Sequence, residues 1–132
     1  MQAIILNIKL RHLDEWNDRR KKIASQYLLE LQDLDLVLPE GFNLKNCSCH
    51  LFPIRISNRD QFMKFLHHHE IQTLIHYPIP PHKQNAYADQ YSKISLKVAE
   101  DMSSQLVSLP IGPHLTEQEV SFVIEKIRSY FH

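Results

Sequence analysis

Glycine is almost absent: only Gly41 and Gly112 occur in the 132 residues. A phosphate cradle made of backbone N–H groups needs closely spaced glycines, so a glycine-rich nucleotide loop is excluded. Cysteine is as scarce. Cys47 and Cys49 stand two apart and make neither a disulfide framework nor a zinc-ligand pattern. Neither sign of charge prevails, with fifteen basic and fifteen acidic residues, which leaves no footprint for nucleic acid or an anionic membrane surface. No apolar run approaches the roughly 20 residues of a membrane span. Met1 leads into an amphipathic pattern rather than a secretory leader, so the expected compartment is the cytosol. Repeats and low-complexity tracts are lacking too. The composition, 43% hydrophobic and 23% charged, is that of an ordinary soluble domain with a modest core.

Histidine and proline are plentiful, at nine and seven. Three prolines fall within four residues, Pro78, Pro80 and Pro81. Proline fixes φ and supplies no N–H, so neither a helix nor a central strand continues through them. Thr73, Leu74, Ile75 and Tyr77 read as a short strand before this loop, and Lys83 to Tyr87 as a short helix after it. His76, Tyr77 and His82 therefore sit where a strand gives way to a stiff loop. Imidazole and phenol groups on a rigid loop suit a ligand contact. A packed, proline-braced turn with solvent-facing histidines is the alternative reading.

Elsewhere the pattern is mostly helical. Residues 2 to about 34 read as one long helix, with Leu6, Leu10, Leu13, Ile23, Tyr27, Leu28 and Leu31 at three- and four-residue steps. Its first ten residues are apolar on nearly every side, which normally means burial all round. Leu36 to Leu38 reads as a short strand stopped by Pro39 and Gly41, and Cys47 to Ile56 as the main strand. A helix over Arg59 to His69 follows, with Asn58 and Gln61 at capping-box spacing and Phe62, Phe65 and Leu66 inward. Ile94 to Gln105 is helical; Val107, Leu109 and Ile111 alternate as a strand. Thr116 with Glu119 forms a capping box, and Leu115 with Val120 a hydrophobic staple, for a last helix over Glu117 to Tyr130. The expectation is an α+β fold: a small, largely antiparallel sheet with helices on one face and a long N-terminal helix.

The run Ile-Gln-Thr-Leu-Ile-His-Tyr-Pro-Ile-Pro-Pro-His (residues 71–82), with Gln84 and Ala86-Tyr87, resembles the DegT/DnrJ/EryC1/StrS sugar aminotransferases. So do the stretch from Gln2 to Asn17 with Arg19, and Ser-Leu-Pro-Ile at 108–111. The resemblance covers essentially the whole chain and is nearest to the branch acting on 3-keto-6-deoxyhexoses. It implies a pyridoxal-phosphate enzyme of the aspartate aminotransferase fold, represented here by its small C-terminal domain (35–132) and the interdomain helix (1–34). Nucleotide-sugar and glutamate are then the expected substrates, and a homodimer the expected assembly. The family usually has glycine where Glu70 stands, ending a helix in a left-handed turn.

By the same resemblance, the Schiff-base lysine, the carboxylate at the pyridinium nitrogen and the phosphate cradle belong to a large domain upstream. None of the nine lysines here matches such a motif, so this chain alone is expected to bind no pyridoxal phosphate and to be inactive. His76, Tyr77 and His82 are the implied contacts to sugar or diphosphate. Arg55, after the main strand, is the implied grip on the amino donor's carboxylate. Two rival readings use the same residues. His67-His68-His69 with His76 and His82 could make a metal-binding module, although consecutive helical residues point about 100° apart and cannot chelate together. A structural or oligomerisation module is the other. On the aminotransferase reading, the large domain that would cover the apolar start, residues 2 to about 16, is not part of this chain, and these residues are expected to drive self-association.

Overall fold

The computed structural model describes residues 2–40, 43–91 and 93–132, the side chains of Lys45 and Ala88 excepted. Gly41, expected to end a strand, lies outside the described residues. Two strands, β1 (Phe52–Arg55) and β2 (Leu106–Leu109), pair antiparallel in the register Phe52↔Leu109, Ile54↔Val107. Among the described residues six α-helices accompany them: α1 (Gln2–Leu10), α2 (Leu13–Glu30), α3 (Arg59–His68), α4 (Ala88–Tyr91), α5 (Lys97–Gln105) and α6 (Glu117–Tyr130). Alternation sends Phe52 and Ile54 inward. They join Tyr27 of α2, Phe62 and Leu66 of α3, and Val120 and Ile127 of α6 in one core. The fold is the expected α+β arrangement.

The sheet is kept narrow by proline. Val37 and Arg55 exchange both backbone bonds, at 2.9 and 3.0 Å. Such pairs recur every second residue along an antiparallel ladder. The next would set Pro39 opposite Pro53, and neither has an N–H to give. The expected strand at Leu36–Leu38 therefore shrinks to a single bridge at Val37. On the other edge Leu74 and Ser108 exchange bonds of 3.3 and 2.7 Å. There the next pair would place Gln72 against Pro110. The strand expected before the proline loop is likewise one bridge, at Leu74.

The first helix departs from expectation. It is not continuous to residue 34: it breaks at Arg11–His12 and ends at Glu30. At the break Arg11 and His12 donate three residues back, to Ile8 and Lys9, the tighter 3₁₀ pattern. His12 starts α2 and stacks on Trp16 at 5.7 Å. Neither proline nor glycine stands there. No residue of α1 is buried, so no packed surface holds its axis in line with α2. Ile4 is 67% exposed, and Ile5, Leu6, Ile8 and Leu10 are also exposed.

Helix ends show which capping motifs form. Thr116 and Glu119 make the reciprocal box, Glu119 N–H donating to Thr116 Oγ1 (3.2 Å) and Thr116 N–H to Glu119 Oε2 (2.7 Å). Asn58 does not cap α3 through its side chain. Its φ of −101° and ψ of 47° depart from the extended shape of Thr116, −75° and 164°, from which a side chain reaches the first turn. At the other end of α3, Glu70 has φ of +61°. Ile71 N–H donates to Leu66 C=O, and Glu70 N–H to His67 C=O, both at 3.0 Å. These two bonds are a Schellman cap with glutamate in the left-handed position, and the expected glycine-like turn is present.

Candidate functional site

The loop that follows Leu74 is fixed at both ends. At its start the His76 Nδ1 and Ser108 Oγ share a hydrogen bond of 2.9 Å. The His76–Tyr77 peptide is cis, and the two rings meet edge to face at 5.8 Å. Tyr77 is 75% exposed, and Ile79 beside it is exposed too. At the loop's end, Pro81–Lys83 makes a 3₁₀ turn with Lys83 N–H donating to Pro80 C=O at 2.9 Å. His82 turns inward, only 7% exposed, and its Nε2 bonds Glu100 Oε1 at 2.9 Å.

Glu100 gathers several partners. Besides His82 it accepts the Leu96 N–H at 2.9 Å, and Lys83 Nζ lies 3.7 Å away. The His82 bond first, and the Leu96 N–H next, hold its carboxyl well below the usual range, at about 2. Taking the Leu96 N–H also explains why α5 starts at Lys97 rather than at Ile94. The loop is thus tied to β2 through His76 and to α5 through His82.

His76 opens onto a cavity of about 820 Å³, within the range of small-molecule pockets. Ile71, Leu74, Ile111, Leu115 and Phe122 form much of its wall, and His50, His69 and His114 line it beside His76. His69 Nδ1–H donates to Phe65 C=O at 2.9 Å. His114 lies over the Gly112 backbone, where a Cβ would come within 2.5 Å of its ring and push the exposed imidazole aside. Glu70 and Glu119 are the charged carboxylates of the lining, which includes neither lysine nor arginine. That lining provides no amine for a carbonyl carbon and no cationic cradle for a phosphate, so it does not fit pyridoxal phosphate.

The four residues singled out from sequence do not converge. His76 lines the cavity and Tyr77 projects beside it. His82 is buried against Glu100. Arg55 ends β1 on the Val37 side, away from the cavity, and its guanidinium has no partner among the described residues. That His50, His69 and His114 line the same cavity as His76 has no signal in sequence spacing, except that His69 belongs to the histidine triplet. Among the described residues no three His, Cys, Asp or Glu side chains are grouped to hold a metal ion. Likewise, no helix is long and apolar enough to cross a membrane.

Comparison with known proteins decides the lineage. The model of the DegT/DnrJ/EryC1/StrS aminotransferase family matches residues 1–128. The chain belongs to that family. The dTDP-3-amino-3,6-dideoxy-α-D-galactopyranose transaminase of Aneurinibacillus thermoaerophilus is 43% identical over 130 residues, 98% of this chain and 36% of the relative. The crystal structure of S. venezuelae DesV, solved with a ketimine intermediate, matches with a TM-score of 0.93 at 40% identity. That match covers 99% of this chain and 36% of DesV. NtdA of Bacillus subtilis, solved with bound cofactor PMP, matches at a TM-score of 0.80 and 29% identity, over 90% of this chain and 29% of NtdA. The chain thus spans about a third of the length of the relatives it matches.

Proposed function

We propose that this chain is the small C-terminal domain of a pyridoxal-phosphate aminotransferase that passes an amino group from glutamate to a nucleotide-linked keto-deoxy sugar. The observation that carries the reading is the family match across nearly the whole chain, set against coverage of only 36% of a sugar-nucleotide transaminase. The complete enzyme is a cytoplasmic homodimer. Residues 1–34 act as its interdomain connector, and residues 35–132 as the small domain that contributes part of the substrate site.

In this reading His76 supplies hydrogen bonding toward the sugar, and Tyr77 a ring to stack or an O–H to donate. Arg55 offers a planar guanidinium for the amino donor's carboxylate. His82 has its Nε2 engaged by Glu100, so its part is to hold the loop in place rather than to touch substrate through that atom. Pyridoxal phosphate bound elsewhere in the enzyme supplies the electron sink of the reaction; this domain binds and orients. The isolated chain is inactive, and it self-associates through residues 2 to about 16 because their apolar side chains lack cover. Each aliphatic side chain left in water forgoes roughly 1.5–3 kcal/mol.

The test is to mix the purified chain with pyridoxal phosphate, reduce with borohydride and map labelled lysines. Scattered, substoichiometric labelling is expected. One stoichiometric label at a single lysine, accompanied by transaminase activity, overturns the reading of an inactive small domain.

A further inference from the structure

Among the described residues two polar side chains are buried, His82 and Ser108, and both serve to attach the proline loop. His82 is engaged by Glu100. Ser108 is 6% exposed, and its hydroxyl bonds His76 Nδ1 at 2.9 Å. The core does not use this serine. Val107 and Leu109 on either side of it turn into the core, and alternation sends Ser108 to the opposite face. Its backbone is held from both directions. Pro53 stands opposite it in β1, and on the other edge its N–H and C=O are bound to Leu74 at 2.7 and 3.3 Å. His76 lies two residues beyond Leu74, diagonally across that bridge, within reach of a long side chain. A hydroxyl on a fixed strand thus meets an imidazole on a loop.

The bond has a direction. A serine hydroxyl carries one proton and two lone pairs. Were Nδ1 to carry the ring's proton, Ser108 would keep a buried O–H with no acceptor among the described residues. Such an orphaned donor is costlier than an idle lone pair. The hydroxyl therefore donates, Nδ1 accepts, and the proton of the neutral ring sits on Nε2. We propose that Ser108 is a positioning residue for His76: it fixes the ring's orientation and tautomer, so that Nε2–H serves as a hydrogen-bond donor to an acceptor oxygen of the sugar. This rests on the reading of His76 as a sugar contact and specifies the atom that makes the contact. Ser108 itself acts only through the ring.

The chain by itself tests the bond, whatever enzyme it belongs to. Proton–nitrogen correlation spectra of the histidine rings, taken at alkaline pH with the imidazoles neutral, separate a protonated from a bare ring nitrogen. The parent should show His76 protonated on Nε2, with the Nδ1 signal displaced by its hydrogen bond. Ser108→Thr keeps the hydroxyl and should keep both signals. Ser108→Val has threonine's branched shape without the hydroxyl, and should move Nδ1 to the position of an unbonded nitrogen. A parent ring protonated on Nδ1, which needs no variant to detect, overturns the proposal; so do indistinguishable threonine and valine spectra. The second arm uses the Aneurinibacillus thermoaerophilus transaminase carrying this chain in place of the segment it matches. There Ser108→Val should raise KM for the sugar nucleotide about three- to tenfold with kcat near the parent's, and Ser108→Thr should restore it. Added to His76→Ala, Ser108→Val should change nothing further. If His76→Ala raises KM and Ser108→Val does not, the positioning role is overturned while the sugar contact stands. If His76→Ala leaves KM unchanged, the sugar contact is overturned, and the role of Nε2–H with it.

Discussion

Substituting Glu70 by glycine tests how the chain passes from α3 into the loop that bears His76. Glu70 holds φ of +61° inside a complete Schellman cap. For a residue with a Cβ this conformation costs about 1–2 kcal/mol. Glycine removes that cost but gives back about 0.5–1 kcal/mol in unfolded-chain entropy. The net expectation for Glu70→Gly is a gain of about 0.5–1 kcal/mol, or roughly 2–4 °C in Tm for a domain of this size. Glu70→Ala retains the Cβ and should gain nothing. Thermal unfolding by circular dichroism, checked against urea midpoints, reads both variants. If the glycine variant melts lower than the parent, or the alanine variant gains as much as the glycine one, the strain at this cap is not what limits stability there.

Further outcomes follow from three particular contacts. The Tyr27 O–H donates to Pro110 C=O at 2.8 Å within the core, so Tyr27→Phe should cost about 1–1.5 kcal/mol by urea unfolding. Burial raises the Tyr27 phenol well above its ordinary 10, so the parent should lose stability as pH climbs past 10, and the phenylalanine variant lose less. Arg128 grips Asp33 with two bonds, 2.8 and 2.7 Å, and holds the Asp33 carboxyl at about 2 against an ordinary 3.8. That contribution is full above pH 3.8 and disappears as pH falls through about 2, so Asp33→Asn should flatten acid unfolding over that window. Glu100→Gln weakens the tie to His82, and amide exchange should quicken across residues 74–83 while α6 is unchanged.

Local signals with their partners nearby in sequence were legible. The box at Thr116–Glu119 formed because Thr116 is extended; the left-handed turn at Glu70 was foreseen only through the family resemblance, and the bonds from Glu70 to His67 and from Ile71 to Leu66 close it. Asn58 and Gln61 had the same spacing without the backbone to use it. The break in the first helix was not legible, since helical periodicity presumes a buried face and no residue of α1 is buried. The meeting of Pro39 with Pro53 depends on register, which no single segment reveals. At the site, the proline loop marked His76 and Tyr77, but the inward turn of His82 depends on Glu100, eighteen residues on. The gathering of His50, His69 and His114 around one cavity is a product of tertiary packing.

The most direct test replaces the segment of the Aneurinibacillus thermoaerophilus transaminase that this chain matches, 36% of its length, with this chain and assays the chimera in the transaminase reaction for which that enzyme is named. The account predicts a folded, cofactor-loaded chimera that transaminates the sugar. It also predicts that His76→Ala in the chimera keeps the cofactor's absorbance and raises KM for the sugar nucleotide. A chimera that folds and loads cofactor, yet turns over neither glutamate nor sugar where the parent does, would contradict the claim that this chain is the small C-terminal domain of such an enzyme.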